Sequence, residues 1–141
     1  MAREPVVLYW DASAILSALF VDSHSSTARK WADREGVHLI STLAYAEVTA
    51  VMSRLQREQV LADRLIEAAL EVLARGPWRR LYFWPQWGMI GKLAFAWSLR
   101  GADLWHLATA KSLQTEFQEL RMLSFDRRLN AAASSENLAF L

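Results

Sequence analysis

Short apolar runs alternate with helical patterns along this chain, and the alternation limits its possible folds more than any other feature. The first run, Val6–Trp10, is continuous and rich in β-formers, which is typical of a strand buried on both faces of a parallel sheet. Similar runs predict further strands at 37–40, 81–84, 121–125 and 138–141. Strands that alternate with helices favour a parallel sheet with helices on both faces, joined by right-handed crossovers.

Apolar residues at helical spacing fill the intervals between these runs. Ser41-Thr42 is an N-cap signal for the helix after the second strand, and Gly76-Pro77 ends a later helix. Helices are predicted at 15–20, 25–35, 42–55, 65–75, 89–99, 103–117 and 127–133. The expected fold is α/β, with a central, mostly parallel sheet of four to five strands between helical layers, in one domain over residues 1–141.

Composition excludes several classes of protein. With 53% hydrophobic and 22% charged residues the chain is of neither disordered nor fibrous type, and without cysteine it has no disulfide, thiolate nucleophile or cysteine zinc site. Lys and Arg number 16 against 15 Asp and Glu, so the chain is no polycation, but thirteen of the cations are Arg, which binds phosphate in a fixed geometry. No run approaches the roughly 18 apolar residues of a membrane span. We expect a cytoplasmic protein.

Four acidic residues differ from the others, which lie among other charges on polar faces. Asp11 and Asp126 directly follow predicted strands, Glu47 lies about one turn into a helix, and Asp103 begins the apolar face of its own helix. In a parallel α/β sheet the carboxyl ends of the strands and the following helix N-termini share one edge, where ligands bind. The topology therefore predicts that these four acids form one cluster. Taken singly, each acid is equally well explained as an N-cap or a salt-bridge partner of Arg.

Such a cluster needs a counter-charge. Two carboxylates about 5 Å apart repel by roughly 3 kcal/mol at an effective dielectric of about 20, and helix N-termini offset only about 0.3–1 kcal/mol each. A hard divalent cation matches an all-oxygen site, so Mg²⁺ or Mn²⁺ is the cofactor we infer, and carboxylate-held metals with open positions serve phosphoryl chemistry. Ser13 and Ser124, each two residues from an aspartate, could hydrogen-bond the attacking water or an outer-shell ligand, or act as turn and cap residues.

Four segments together resemble a known family. They read VLYWDAS at 7–13, STLAYAEV at 41–48, GADLWHLATA at 101–110 and LSFDRRL at 123–129. In this order and spacing they resemble the PIN-domain ribonucleases, specifically the VapC toxins of bacterial and archaeal toxin–antitoxin pairs. The resemblance covers nearly the whole chain and implies a compact, three-layer α/β/α PIN-like fold.

The resemblance also implies a function. Members of this family are Mg²⁺- or Mn²⁺-dependent endoribonucleases that cut structured RNA, and Asp11, Glu47 and Asp103 match their core metal-binding acids, while Asp126 matches the more variable fourth. Such toxins form homodimers and are silenced by a cognate antitoxin whose tail lies across the active site. One departure is visible, because the family commonly has Ala directly after the third acid and this chain has Leu104.

Other residues have two or more interpretations. His106, one turn after Asp103, could touch the site or be a hydrogen-bonded structural histidine, and Arg127 and Arg128 could contact phosphates or begin a solvated helix. The tryptophans around the apolar segment at 89–99 could pack in the core, form a dimer or antitoxin surface, or stack on RNA bases. They are Trp84, Trp87, Trp97 and Trp105.

Two other classes of function remain open. A haloacid-dehalogenase-like hydrolase would use Asp11 as nucleophile, but such phosphatases usually carry a second Asp where this chain has Ser13. A non-catalytic phosphate- or RNA-binding module, or a receiver-like regulatory domain, would keep the fold without turnover. The four retained acids count against the binding module. The lack of adjacent acids at the end of the first strand counts against the receiver-like domain.

Overall fold

The computed structural model of the protein describes residues 3–139 and has helices packed on both faces of one sheet. The strands in this part of the chain are β1 (Val6–Trp10), β2 (Gly36–Ser41), β3 (Trp78–Leu81) and β4 (Leu120–Leu123). The helices are α1 (Ala12–Leu19), α2 (Ser25–Ala32), α3 (Thr42–Arg57), α4 (Asp63–Arg75), α5 (Trp87–Ala96), α6 (Gly101–Gln114) and α7 (Arg127–Ser135).

The sheet is parallel throughout, in the order β3-β2-β1-β4. In the register, Trp10 at the end of β1 is opposite Ile40 of β2 and Leu123 of β4. The carboxyl ends of these three strands are therefore level, and the segments that follow them leave the sheet at the same edge. The expected α/β class and the parallel sheet between helical layers are confirmed.

The side chains of β1 alternate between two cores. Leu8 and Trp10 pack with buried residues of α1, α3 and α4 on one face, whereas Tyr9 packs with those of α6 and α7 on the other. All three side chains are fully buried, and burial of a large apolar side chain contributes about 1.5–3 kcal/mol. This explains why β1 is apolar at every position, as a central strand of a parallel sheet requires.

The third strand was predicted in the wrong place. It is Trp78–Leu81 rather than 81–84, because Gly76-Pro77 leads directly into it from α4. Trp78 is buried against Trp10, with their rings edge to face at 5.4 Å between centroids. Arg79 and Arg80 face solvent, as an edge strand allows. Because these two arginines interrupt the apolar run, the sequence pattern does not indicate a strand here.

The predicted fifth strand is reduced to one bridge between Met122 and Ala139 in the part of the chain that the structure describes. The rest of that prediction, at Phe140 and Leu141, lies outside the described residues. No helix within residues 3–139 is long and apolar enough to cross a membrane.

Candidate functional site

Asp11 lies where β1 ends and α1 begins, and its side chain is the N-cap of α1. Its Oδ1 accepts hydrogen bonds from the Ala14 N–H at 2.9 Å and the Ser13 hydroxyl at 2.7 Å, and its Oδ2 accepts one from the Ser124 hydroxyl at 2.6 Å. Burial raises the pKa of Asp11, while the hydrogen bonds from Ser124, Ala14 and Ser13 act in the opposite direction. The fold thus holds a desolvated carboxylate in a fixed orientation.

Ser13 and Ser124 link the two loops that carry aspartates. The Ser13 hydroxyl accepts from the Phe125 N–H at 3.0 Å, and the Ser124 hydroxyl accepts from the Asp126 N–H at 3.1 Å. Both hydroxyls also donate to Asp11, so each serine joins the β1–α1 connection to the β4–α7 connection. The structure places both serines as hydrogen-bond partners of a carboxylate.

Glu47 lies on α3, and its half-buried side chain is hydrogen-bonded to His106. The Glu47 Oε1 and His106 Nε2 atoms are 2.6 Å apart. The other ring nitrogen of His106 lies 2.5 Å from the Tyr9 hydroxyl, which in turn lies 3.0 Å from Ser41 Oγ. His106 is 1% exposed, and its ring contacts Glu47 on one side and Tyr9 on the other.

Asp103 lies in the first turn of α6 and lines an open cleft of about 460 Å³ together with Asp126. No residue between 3 and 139 donates a hydrogen bond to its carboxylate. Burial raises the pKa of Asp103, and the negative charges of Asp126 and Glu47 raise it further, against the effect of His106 and Arg100.

Asp126 is exposed and is the N-cap of α7, where its Oδ1 accepts from the Leu129 N–H at 2.9 Å. Arg127 and Arg128 follow it, are exposed and line the same cleft as Arg100. Cations therefore flank the acidic cleft on two sides, from α7 and from the start of α6.

The four acids come to one edge of the sheet without closing on a common point. Within residues 3–139 no three Asp, Glu or His side chains lie close enough together to hold one ion. Hydrogen bonds hold three of the acids in place: Asp11 is bound to the serines, Glu47 to His106 and Asp126 to its own helix. The donor set itself, carboxylate and hydroxyl oxygens, is the one that Mg²⁺ and Mn²⁺ prefer.

Tyr9 is the residue of this region that sequence reasoning did not single out. It is fully buried, and the hydroxyl of a buried tyrosine normally finds a hydrogen-bond partner. The alternation of β1 also places it on the opposite face from Trp10, toward α6. These two signals together could have pointed to a polar contact with the helix that carries Asp103.

The tryptophans divide between two environments. Trp97 and Trp105 are half-buried, and Trp97 Nε1 donates to Glu136 Oε2 at 3.0 Å. Trp84 and Trp87 are largely exposed, as is Phe95 on α5. Core packing therefore accounts for only part of the aromatic content of this segment.

Comparisons with known proteins agree with this architecture. The family model of the PIN domain matches residues 8–134. Two curated Mycobacterium tuberculosis proteins, Ribonuclease VapC45 and Ribonuclease VapC49, are each 32% identical to this chain over an alignment of 137 residues that covers 90% of this chain and 89% of the relative. The chain belongs to the PIN domain family.

Solved structures show the same fold. The Mycobacterium tuberculosis VapC20, a toxin that cleaves the sarcin–ricin loop, superposes with a TM-score of 0.58 at 16% identity, over 89% of this chain and 94% of that one. The protein PAE2754 of Pyrobaculum aerophilum superposes with a TM-score of 0.57 at 18% identity, over 90% of this chain and 79% of that one.

Proposed function

We propose that this protein is a Mg²⁺- or Mn²⁺-dependent endoribonuclease and the toxin of a VapBC-type toxin–antitoxin pair. The observation that carries the proposal is the cleft at the carboxyl edge of the sheet, where Asp103 and Asp126 lie beside exposed arginines. The relatives named as VapC ribonucleases, at 32% identity over 90% of the chain, support RNA as the substrate.

The four acids Asp11, Glu47, Asp103 and Asp126 are the residues that would hold the metal ion. Asp103 receives no hydrogen bond from residues 3–139, and Asp11 Oδ2 receives one, so both keep lone pairs for a cation. Mg²⁺ retains several water molecules and binds proteins through one or two carboxylates, which suits acids that share an edge without touching. Such an ion, when bound, activates water and neutralises charge on the leaving oxygen of a phosphodiester.

The arginines of the cleft would bind the RNA backbone. Arg100, Arg127 and Arg128 place guanidinium groups beside the acids, and an arginine pairs with two phosphate oxygens at once. They offset the repulsion between an acidic site and a polyanionic substrate. Their position next to the acids, rather than elsewhere on the surface, favours a cleavage site over a general RNA-binding face.

A covalent hydrolase that uses Asp11 as nucleophile fits the geometry poorly. Asp11 is 3% exposed, and both of its oxygens accept hydrogen bonds from neighbouring groups. A nucleophilic oxygen needs an open approach to the phosphorus atom. The Asp11 carboxylate is better placed to hold an ion or a water molecule.

The test is RNA cleavage by the purified, antitoxin-free chain, with Mg²⁺, Mn²⁺ or EDTA, beside two variants. We expect discrete products that need the metal, that disappear with Asp103→Asn and that persist with Glu67→Gln, which removes an exposed acid on α4. RNA binding without any product under either metal would instead establish a non-catalytic binding module. Products that form equally in EDTA would refute the metal dependence.

We also propose a cognate antitoxin and a second copy of the chain as protein partners. Large exposed apolar surfaces on a folded protein mark association sites, and Trp84, Trp87 and Phe95 are each more than three-quarters exposed at 76%, 89% and 97%. Sedimentation of the purified chain at micromolar concentration measures the dimer, and a monomer at all concentrations would contradict it.

A further inference from the structure

A chain of buried hydrogen bonds near the carboxyl edge of the sheet joins four elements, β1, β2, α3 and α6. It leads from Ser41, the N-cap of α3, to the Tyr9 hydroxyl of β1, then to His106 of α6 and back to Glu47 of α3. Ser41 Oγ also accepts from the Ala44 N–H at 3.1 Å, so both ends of the chain are fixed to α3. The chain couples the helix that carries Glu47 to the helix that carries Asp103.

The position of these polar groups is unusual for a core. Ser41, Tyr9 and His106 are 0–1% exposed, and Tyr9 and the neighbouring α6 residue Leu107 belong to an apolar cluster. Burying polar groups costs free energy unless each finds a partner, and apolar side chains of similar volume fill such space without that cost. The chain is fully paired and ends on a half-exposed carboxylate at the cleft, which points to a role at that carboxylate.

The chemistry of the groups fixes the direction of the hydrogen bonds. A carboxylate only accepts, so His106 Nε2 carries the proton that it donates to Glu47 Oε1. The Tyr9 hydroxyl donates its one proton to Ser41 Oγ, so its oxygen is left to accept from His106 Nδ1. The contact with Tyr9 thereby fixes the orientation of the imidazole ring. Glu47 Oε2 remains without a hydrogen bond from any described residue.

We propose that His106 is a positioning residue, which holds the Glu47 carboxylate at a fixed direction from Asp103 so that Oε2 is free to bind the metal ion. His106 and Asp103 are three residues apart on α6 and therefore share a helix face, which makes the imidazole a spacer between two acids. The inference rests on the proposed function, because it assigns Glu47 a place in the metal site.

Two substitutions of the same residue separate positioning from packing. In His106→Gln the side-chain amide nitrogen reaches the place of Nε2 and can still donate to Glu47, whereas in His106→Asn the shorter amide reaches only the place of Nδ1, near Tyr9. Both remove the ring from the core. The measurement is Mn²⁺ affinity by titration calorimetry, together with the Mn²⁺ concentration that gives half-maximal RNA cleavage.

For His106→Asn we expect Mn²⁺ affinity to fall by about 10- to 100-fold, the usual effect of losing a hydrogen bond to a ligand group. We also expect the half-maximal Mn²⁺ concentration to rise by the same factor, with most of the maximal rate recovered at saturating Mn²⁺. For His106→Gln the Mn²⁺ affinity should stay within about threefold of that of the unsubstituted protein, because the amide still donates a hydrogen bond to Glu47. This change is small beside the roughly 10- to 100-fold loss expected for His106→Asn.

His38→Asn is the matched control. His38 is also buried, with its Nδ1 accepting from Trp10 Nε1 at 3.0 Å and its Nε2 2.8 Å from the Arg34 carbonyl oxygen, on the opposite face of the sheet. The His38→Asn substitution should lower thermal stability and leave Mn²⁺ affinity unchanged.

The outcomes distinguish this inference from the proposed function. Equal Mn²⁺ affinity in the Asn and Gln variants, at either the full or a reduced level, would overturn positioning by His106 while leaving the nuclease intact. If the unsubstituted protein binds no Mn²⁺ in the millimolar range, both the inference and the metal-dependent function are wrong.

Discussion

Replacing Asp11 separates its structural role from its functional one, because its side chain caps α1 and is also one of the four acids that we propose to hold the metal ion. In Asp11→Asn the amide oxygen still accepts from Ala14 and Ser13, and the amide nitrogen can donate to Ser124 in place of the contact at 2.6 Å. Asn and Asp are equivalent N-caps. The change therefore removes a buried charge and keeps each pair of hydrogen-bonded groups, with the direction of the bond to Ser124 reversed.

Asp11→Ala removes both the buried charge and the hydrogen bonds of the side chain. Loss of the N-cap costs about 0.5–2 kcal/mol, and the buried Ser124 hydroxyl, left without its acceptor, adds about 1–3 kcal/mol. The Ala variant should therefore be less stable than the Asn variant by roughly 1.5–5 kcal/mol, or about 6–20 °C in Tm at about 4 °C per kcal/mol. Both variants should lose RNA cleavage by more than the roughly 10- to 100-fold that outer-shell partners of a metal are worth.

The pH dependence has a definite sign. The pKa of Asp11 is raised by burial above its ordinary value of 3.8, so ionisation disfavours the folded state. In EDTA the unsubstituted protein should lose stability as the pH rises from 3.8 through the folded-state value, whereas Asp11→Asn should lose less, since the loss from Asp103, whose pKa is also raised, remains. Asp11→Asn should then melt at or above the unsubstituted protein at pH 7, and the difference should vanish at low pH.

Thermal unfolding followed by circular dichroism measures these effects in all three proteins, with RNA cleavage assayed beside it. An Asn variant that melts as low as the Ala variant at pH 7 would refute the reasoning on the cap and the buried charge. An Asn variant that cleaves RNA at the full rate would refute the metal-binding role of Asp11.

Three further substitutions have expected results. Gly36→Ala should destabilise the fold by more than about 3 kcal/mol, because Gly36 has φ +142° and a Cβ there would lie 2.0 Å from the Val6 carbonyl oxygen; a normal urea midpoint would contradict this. Asp103→Asn should weaken Mn²⁺ binding in calorimetry. It should not lower Tm in EDTA, because it removes a carboxylate whose pKa is raised by burial and by neighbouring negative charges. A large fall in Tm would show a structural role instead. Trp97→Phe should lower stability by about 1–2 kcal/mol in urea unfolding, since it removes the hydrogen bond to Glu136, and an unchanged midpoint would show that the bond contributes nothing.

The central strand and the helix starts could be predicted from the sequence because local chemistry determines them. Val6–Trp10 is apolar at every position, and Ser41 and Asp11 are side chains that commonly cap the helices that follow. The edge strand Trp78–Leu81 could not, because an edge strand exposes half of its residues and its two arginines resemble a loop.

The edge at which the acids lie follows from the topology, whereas the details of the site do not. The parallel sheet brings the carboxyl ends of its strands to one edge, and the single cluster of four acids stays a prediction. The link between Tyr9 and His106 joins residues 97 positions apart, and no pattern along the chain indicates such a contact. The spacing between the carboxylates is likewise set by tertiary hydrogen bonds, such as that from Ser124 to Asp11, and these depend on the packed structure.

The most direct test of the metal site is the anomalous scattering of Mn²⁺ in crystals grown or soaked with that ion. We expect one or two peaks at the carboxyl edge of the sheet, with carboxylate oxygens of Asp11 and Asp103 at bonding distance, about 2.0–2.3 Å. A peak bound only elsewhere on the chain, or no peak at a Mn²⁺ concentration that supports RNA cleavage, would contradict the assignment of these acids as the metal-binding residues.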